Sequence, residues 1–144
     1  MTVAEILRRK QIKNVETVSP SACIADAAAT LSKMRIGALI CSEDGKSVSG
    51  MISERDIIRV LGADGPGCLD RKISAIMTSK VQTCAPDATV ESVLGRMSEG
   101  RFRHMPVVSD GTLVGLVSIG DLVQARIDDL EHETTALADM IKGY

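Results

Sequence analysis

The hydrophobic pattern of the chain predicts a unit of secondary structure that occurs twice. Short apolar segments at 15–18 and 81–84 each run up to a proline, which predicts brief β-strands because proline cannot donate to a β ladder. Apolar residues then recur at helical spacing over 24–34 and 90–97, which predicts one amphipathic helix in each half, and Thr89 with Glu91 predicts a cap and first turn for the second. The strand and the helix come in the same order both times.

A hairpin is predicted behind each of these helices. In both halves two apolar runs flank an Asp-Gly sequence, which is a hairpin signal, and the runs cover 38–42 with 48–52 and 105–108 with 113–117. The predicted unit is therefore β-α-β-β-α once the helix after each hairpin is added.

The remaining helices follow from apolar spacing and from end signals. The helix after the first hairpin is predicted over 54–61, with Gly62 as the residue that ends it, and the helix after the second from Ile119 to Lys142. A short helix is also predicted at the start of the chain, because Thr2 to Glu5 has the form of a capping box, and it is expected to end near 10–13.

Direct comparison of the two halves shows that they are copies of one another. At an offset of 66 residues, reduced to 65 by one gap in the second hairpin turn, the halves share eleven identities in order, namely Val15/Val81, Thr17/Thr83, Pro20/Pro86, Ala22/Ala88, Ser32/Ser98, Arg35/Arg101, Asp44/Asp110, Gly45/Gly111, Gly50/Gly115, Ser53/Ser118 and Asp56/Asp121. This indicates a tandem duplication. We expect an α+β fold of two domains, 1–65 with the short opening helix and 66–144 with a long C-terminal helix.

A polar pair lies at the same junction of strand and helix in each copy. The sequence runs from a glycine through two apolar residues to Ser-x-x-Asp, which gives Ser53 with Asp56 and Ser118 with Asp121. Ser-x-x-Asp before an apolar run is the pattern of a helix cap. The same side chains can also hold a ligand, and the two interpretations are compatible.

Composition and charge exclude several classes of function. The chain has 144 residues, 44% of them hydrophobic, and a formal net charge of -2 with the charges interspersed, so nucleic acid is not expected as a partner. The apolar runs are too short to cross a bilayer, and Met1 to Glu5 does not begin a secretion signal. The cytoplasm is the expected location.

The sequence offers little material for catalysis. Its two histidines, His104 and His132, accompany no recognisable catalytic motif or metal-ligand spacing, so we expect neither an enzyme nor a metal site. Four scattered cysteines argue against a disulfide framework, although a redox-responsive thiol at Cys41 or Cys84 is a remote alternative. Phe102 and Tyr144 are the only aromatic residues, so aliphatic or backbone surfaces are expected to stack against a ligand ring.

Together these motifs resemble the cystathionine-β-synthase (CBS) domain family, and the tandem pair resembles the module called a Bateman module. The ordered set that carries the resemblance comprises the two prolines, the Asp-Gly turns, the Gly-h-h-Ser-x-x-Asp stretches and the loops at 35–40 and 101–107. The resemblance implies a pseudo-two-fold pair of domains with their sheets in contact. It also implies clefts between the domains, often occupied by a ligand that contains adenosine.

The family pattern further implies which residues line those clefts. Ser53 and Asp56 would serve one cleft and Ser118 and Asp121 the other, each aspartate accepting the ribose hydroxyls. Because Gly120 replaces Arg55, the Asp121 cleft is expected to take its cations from the loop that holds Arg101, Arg103 and His104. The remaining predicted contacts are Thr17, Val18, Ile36, Gly37, Ala38, Lys80, Val81, Met105 and Pro106.

By the same resemblance the protein is expected to be a non-catalytic sensor. The ligand would be AMP, or alternatively ADP, ATP, NAD(H) or S-adenosylmethionine, and it would signal through a rearrangement of domains or subunits of a homodimer to an unknown regulated protein. The alternative is a ligand-free dimeric module that acts through the C-terminal helix. In that helix Val123, Ile127, Leu130, Leu137 and Ile141, with Thr134 in one slot, follow a heptad spacing. This seam could pack on its own domain or pair with a second subunit.

Overall fold

A computed structural model describes residues 1–11 and 15–143, and within that part the chain forms two α/β repeats. The first repeat, with the helix that precedes it, comprises α1 (Val3–Lys10), β1 (Thr17–Val18), α2 (Ile24–Met34), β2 (Ala38–Cys41), β3 (Gly50–Ser53) and α3 (Glu54–Asp64). The second follows two 3₁₀ turns, Pro66–Asp70 and Ile73–Ala75, and comprises α4 (Val90–Gly100), β4 (His104–Ser109), β5 (Thr112–Ser118) and α5 (Ile119–Lys142). The predicted tandem α+β architecture is confirmed.

The two sheets differ in one strand. In the first, β1 pairs parallel to β2 and β2 antiparallel to β3, with Thr17 opposite Ile40. In the second, β4 and β5 form a hairpin, and the strand predicted at 81–84 is reduced to a single parallel bridge from Cys84 to Val107. The counterpart of Ile40 is Pro106, which has no N–H group to donate, so a second ladder pair cannot form there.

Helix caps occur at most of the predicted positions. Ser53 and Ser118 begin α3 and α5 as complete capping boxes with the aspartates three residues later, and the Thr89 hydroxyl accepts a bond from the Ser92 N–H at the start of α4. The capping box predicted at Thr2 is wrong, because its side chain makes no cap bond. The backbone of Thr2 instead bridges to Thr89.

The end of α3 also differs from the prediction. Gly62 lies inside the helix, which continues to Asp64 and ends at Gly65. Gly65 has φ +79°, a conformation that glycine adopts without strain, and Pro66 follows it and cannot continue the helix. The combination of Gly65 and Pro66 is therefore a stronger end signal than Gly62 alone.

The segment that leads into each repeat packs into the core of the other repeat. Val3 and Ile6 of α1 are buried with the hydrophobic residues of the second repeat, and the N–H of Val3 donates to Ala88 O at 2.9 Å. Conversely, Ile73 is buried in the first repeat, and its N–H donates to Ala22 O at 2.8 Å. Each core therefore includes residues from outside its own contiguous segment. The core of the first repeat includes Ile73, which lies in 66–144, and the core of the second includes Val3 and Ile6, which lie in 1–65.

Helix α5 leaves its heptad seam outside the core. The helix buries Leu122 and Ala125 in its own repeat, whereas Val123, Ile127 and Leu130 are between 43% and 46% exposed. Farther along, Leu137 and Ile141 are 60% and 87% exposed. The domain itself therefore covers the first half of the seam only in part and leaves Leu137 and Ile141 largely exposed, and pairing with a second subunit stays a prediction.

The docking of the second lead-in segment generates a stability test. A Cβ added at Gly50 would lie 2.6 Å from the Thr78 backbone oxygen and 2.8 Å from Met77 Sδ, so we expect Gly50→Ala to lower the free energy of unfolding by about 1–3 kcal/mol. The matched control is Gly95→Ala in α4, where a Cβ meets nothing within 4 Å and should stabilise the helix by up to about 1 kcal/mol. Urea denaturation of both variants measures the difference, and equal stabilities would contradict the close approach.

Candidate functional site

A cavity of about 570 Å³ lies between the two repeats, at the junction of β3 and α3. Its size is in the range of sites for small organic ligands. The first repeat supplies Gly37, Ala38, Met51, Ser53, Glu54, Arg55, Asp56 and Arg59, and the rest of the lining is Thr78, Lys80, Val81, Gln82, Gly100, Arg101, Phe102, Arg103 and His104. Because residues 78–82 follow the lead-in segment that docks on the first repeat, the exchange of these segments builds one wall of the cavity.

Ser53 and Asp56 form a tightly bonded pair at the cavity wall. Asp56 Oδ2 accepts the Ser53 N–H at 2.9 Å and the Ser53 hydroxyl at 3.0 Å. The other oxygen, Oδ1, accepts a bond of 3.2 Å from Arg59, whose side chain is 66% exposed. The cap therefore holds the carboxylate in one orientation, and its second oxygen bonds to an arginine whose side chain is largely exposed.

Positive charge is concentrated in this cavity. Five cationic side chains line it, Arg55, Arg59, Lys80, Arg101 and Arg103, against two acidic ones, Glu54 and Asp56. Over residues 1–11 and 15–143 Arg59 pairs with Asp56, while the other four cations form no ion pair. A chain with a net charge of -2 thus presents an electropositive cleft, which favours an anionic ligand.

His104 lies at the boundary between the cleft and the second Ser-x-x-Asp junction. It lines the cavity and pairs with Ser118 in the hairpin register. Burial lowers the pKa of His104 below its ordinary value, although the charges of Asp121 and Glu54 oppose this shift. Lys10 and Arg103 act in the same direction as burial, so the imidazole favours its neutral form.

The second junction is arranged differently around Asp121. Asp121 Oδ2 accepts the Ser118 N–H at 2.9 Å and an ammonium bond from Lys10 at 2.8 Å. The cation that pairs with Asp121 is therefore Lys10 of α1, and Arg103 and His104, which were predicted to supply the cations of the Asp121 cleft, line the Asp56 cavity instead. Lys10 was missed because nothing in its local sequence signals a contact with a carboxylate 111 residues away.

Nine of the sixteen predicted site residues come together in the cavity. They are Gly37, Ala38, Ser53, Arg55, Asp56, Lys80, Val81, Arg103 and His104. Ile36 instead lines a separate groove of about 530 Å³ between α2 and α3, and Met105 and Pro106 are buried in β4. Thr17 and Val18 form β1, and Ser118 and Asp121 make the second junction, so none of these four lines the cavity.

Several lining residues were outside the predicted set. Arg59 lies one helical turn after Asp56, a spacing at which two side chains face the same way, so its position could have been inferred. Phe102 corrects the expectation that aliphatic or backbone surfaces alone would face a ligand ring, because this aromatic side chain lies in the lining. Gln82 and Gly100 carry no local signal.

The thiols do not resemble reactive cysteines. Cys41 is buried, and burial together with the nearby charge of Asp56 raises its pKa to about 11. Burial also raises the pKa of Cys84, against the lowering influence of Arg96. Since the thiolate is the reactive form, both environments oppose the redox alternative.

The comparison with protein families identifies the repeats. The family model described as the CBS domain matches residues 3–63 and 73–128. The chain belongs to the CBS domain family. The two matches begin at Val3 and Ile73, the residues at which the lead-in segments of the CBS repeats dock.

Known CBS proteins are similar over most of this chain. A mitochondrial CBS domain-containing protein of Arabidopsis thaliana is 32% identical over 124 residues, which is 83% of this chain and 60% of the relative, so the chain spans less than two thirds of that protein. The crystal structure of a CBS-domain containing protein from Agrobacterium tumefaciens is 37% identical, with a TM-score of 0.83 over 88% of this chain and 99% of the other.

Two similar CBS structures contain adenosine compounds. A CBS domain protein from Pyrobaculum aerophilum, complexed with AMP, is 29% identical and has a TM-score of 0.79 over 93% of this chain and 99% of its own. A CBS domain pair in complex with 5′-methylthioadenosine and S-adenosyl-L-methionine is 28% identical and has a TM-score of 0.78 over 90% and 98%. No helix in the described ranges of the present CBS pair has the length and apolar character needed to cross a membrane.

Proposed function

We propose that this CBS pair is a non-catalytic sensor that binds an adenosine nucleotide, AMP or a relative with more phosphates, in the cavity at Asp56. The proposal rests on one observation: the capped Ser53–Asp56 pair lines the same cavity as four cationic side chains. Those four cations form no ion pair in the described part of the chain. Asp56 would accept ribose hydroxyls and the cations would contact phosphate. The adenosine compounds in similar CBS structures support the ligand class.

The charge of the cleft supports a phosphorylated ligand over an uncharged or cationic one. Arg103 and Lys80 come from different parts of the second repeat, so their side chains can contact a phosphate from two directions. S-adenosylmethionine carries a positive sulfonium group, which four nearby cations disfavour. AMP, ADP, ATP and NAD(H) all carry phosphate and are compatible with this arrangement.

The signal would arise from the position of the site between the repeats. A ligand in this cavity contacts both repeats, so it stabilises whichever arrangement of them brings Asp56 and the 101–104 loop to the right separation. The equilibrium moves only by the difference in affinity for the two arrangements. A partner protein that distinguishes these arrangements would receive the signal.

Replacement of Asp56 by asparagine separates ligand binding from capping. We expect Asp56→Asn to weaken AMP or ATP binding about 10- to 100-fold, because hydrogen bonds to a charged group contribute about 1.5–3 kcal/mol. The expected loss of stability is only about 1 kcal/mol, the contribution of a helix cap. Isothermal titration calorimetry and urea denaturation measure the two effects.

The matched control is Asp26→Asn at the start of α2. Asp26 forms the equivalent capping box, with its Oδ2 accepting the Cys23 N–H at 3.2 Å, but it does not line the cavity. We expect a similar loss of stability with unchanged affinity. If both variants lose the same stability and neither loses affinity, Asp56 is a cap and not a ligand contact.

The cationic lining predicts the order of ligand affinities. AMP, ADP and ATP should each bind at least about tenfold more tightly than S-adenosylmethionine, and Arg103→Gln or Lys80→Gln should reduce ATP affinity about tenfold, since each removes a charge-assisted contact. The control is Arg8→Gln, which removes an exposed arginine of α1 outside the cavity. Fluorescence competition at two salt concentrations is a suitable measurement. Equal affinity of wild type and both cleft variants would contradict phosphate binding by these side chains.

The exposed seam of α5 supports a second candidate, a homodimer that forms through this helix. Heptad-spaced apolar residues are typical of helices that pair with one another, and Val123, Ile127 and Leu130 are exposed on one chain. The proposed occupant of the seam is α5 of a second copy. Such a module could act with or without a nucleotide.

The dimer is tested by a charge placed in the seam. We expect Ile127→Glu to convert a dimer into a monomer, because pairing would bury the introduced carboxylate, while Thr135→Glu, on an exposed position outside the seam, leaves the dimer intact. Light scattering coupled to size-exclusion chromatography gives the molar mass. A wild-type monomer of 15.3 kDa, or a dimer that survives Ile127→Glu, would exclude this interface.

A further inference from the structure

The two Ser-x-x-Asp junctions differ in what occupies the space beside them. In the first repeat both Met51 of β3 and Asp56 line the open cavity. Their counterparts in the second repeat are Leu116 and Asp121, and one ammonium group bridges them. Lys10 Nζ lies 2.8 Å from Asp121 Oδ2 and 3.1 Å from the Leu116 carbonyl oxygen. In the first repeat the Met51 carbonyl accepts the Thr78 N–H instead, so the lysine head brings a positive charge to a position that a neutral backbone group takes in the first repeat.

A difference between the two lead-in segments explains why only one junction is covered in this way. Leu7 and Met77 are equivalent, because each would be the nearest side chain to a Cβ at the matching glycine, Gly115 or Gly50. After Met77 the chain passes at once to Thr78, whose N–H donates to Met51 O at 2.9 Å. After Leu7 the chain stays helical as far as Lys10, whereas Lys80, three residues after Met77, lies in a non-helical segment and lines the Asp56 cavity. The helical path brings the Lys10 ammonium group to the Leu116 carbonyl.

Helix α1 is anchored to the second repeat by several contacts, which restrict the position of Lys10. Val3 of this helix is fully buried in the second repeat. Arg9, on the same turn as Lys10, pairs with Asp128 of α5 at 3.1 Å, and the terminal amine of Met1 lies 3.4 Å from Asp129. The Lys10 side chain is 27% exposed, so most of it is covered by its surroundings.

The charges at Asp121 also favour the lysine over a ribose. Burial acts to raise the pKa of Asp121, but the bonds from Lys10 and Ser118 outweigh it and hold the pKa below its ordinary value. The carboxylate is therefore ionised and paired. A ribose hydroxyl that displaced Lys10 would replace an ion pair by a hydrogen bond with one charged partner, and it would leave the ammonium group without its carboxylate.

We propose that Lys10 closes the second nucleotide cleft of this CBS pair, so that one chain binds one adenosine nucleotide, at Asp56, and gains a second site at Asp121 only when the Lys10 ammonium is removed. The proposal rests on the proposed function, because it assumes that the Asp56 cavity binds a nucleotide. Lys10 is thus the residue that determines how many ligands the chain takes.

The test is the number of nucleotides bound by the full chain, measured by isothermal titration calorimetry with AMP and, separately, with ATP. We expect one ligand per chain for the wild type and two for Lys10→Met, which keeps the apolar stem and removes the charge. Adding Asp121→Asn to Lys10→Met should return the number to one. The control is Arg9→Met, which removes a cation and an ion pair from the same turn of α1 but leaves Asp121 covered, and it should bind one.

Each outcome separates the two proposals. If the wild type already binds two nucleotides, or if Lys10→Met still binds one, the closure of the second cleft is overturned while nucleotide binding at Asp56 stands. If no variant binds AMP or ATP, both proposals fail together. Circular dichroism establishes that each variant is folded, and Lys10→Gln gives the same count should Lys10→Met fail to fold.

Discussion

The exchange of lead-in segments is the constraint on which the rest of this structure depends. Val3 and Ile73 are each fully buried in the repeat to which they do not belong in the chain order, and each donates a backbone hydrogen bond there. Burial of such side chains contributes about 1.5–3 kcal/mol each, so neither repeat can complete its core alone. The two repeats are therefore held together through their cores, and the segment at 78–82 is placed beside the helix of the other repeat.

That arrangement creates the cavity, and the first repeat and the later part of the chain contribute different side chains to it. Asp56 belongs to the first repeat, while Lys80, Arg101 and Arg103 reach the same space from later in the chain. A pseudo-symmetric fold would by itself predict two equal sites. Lys10 of α1 breaks that equality, because its ammonium group pairs with Asp121 and bonds to Leu116 O, whereas the equivalent carbonyl of Met51 accepts the backbone N–H of Thr78.

Capping and the proposed ligand contact use the same carboxylate, that of Asp56, without conflict. Asp56 Oδ2 accepts both bonds from Ser53, which fixes the side-chain rotamer and the start of α3. Oδ1 is covered by an exposed arginine on the same helix, which can move at little cost. A side chain already ordered by its cap loses less entropy when it contacts a ligand. This explains how a common helix-start motif can serve as a preorganised binding element in the CBS pair.

Much of the fold could be predicted from the sequence, since its signals are local. The duplication, the α2, α4 and α5 helices, the two hairpins and the caps at Ser53, Thr89 and Ser118 all depend on spacing or on contacts within a few residues. The errors at Thr2, at Gly62 and at 81–84 have a different origin. At Thr2 and at 81–84 a distant backbone group or a proline on another strand decided the outcome. At Gly62 a nearby Gly65–Pro66 pair was the stronger signal.

The sequence by itself thus determined the repeated unit and the Ser-x-x-Asp junctions, and the family resemblance implied nine of the residues that line the cavity. Only the tertiary structure decided that Phe102 joins them, that the loop at 101–104 lines the Asp56 cavity, and that Lys10 contacts Asp121. The physical reason is that these contacts join residues far apart in the chain, and their partners depend on which repeat each lead-in segment enters. Periodicity and caps report how a segment folds locally, but not which distant surface it covers.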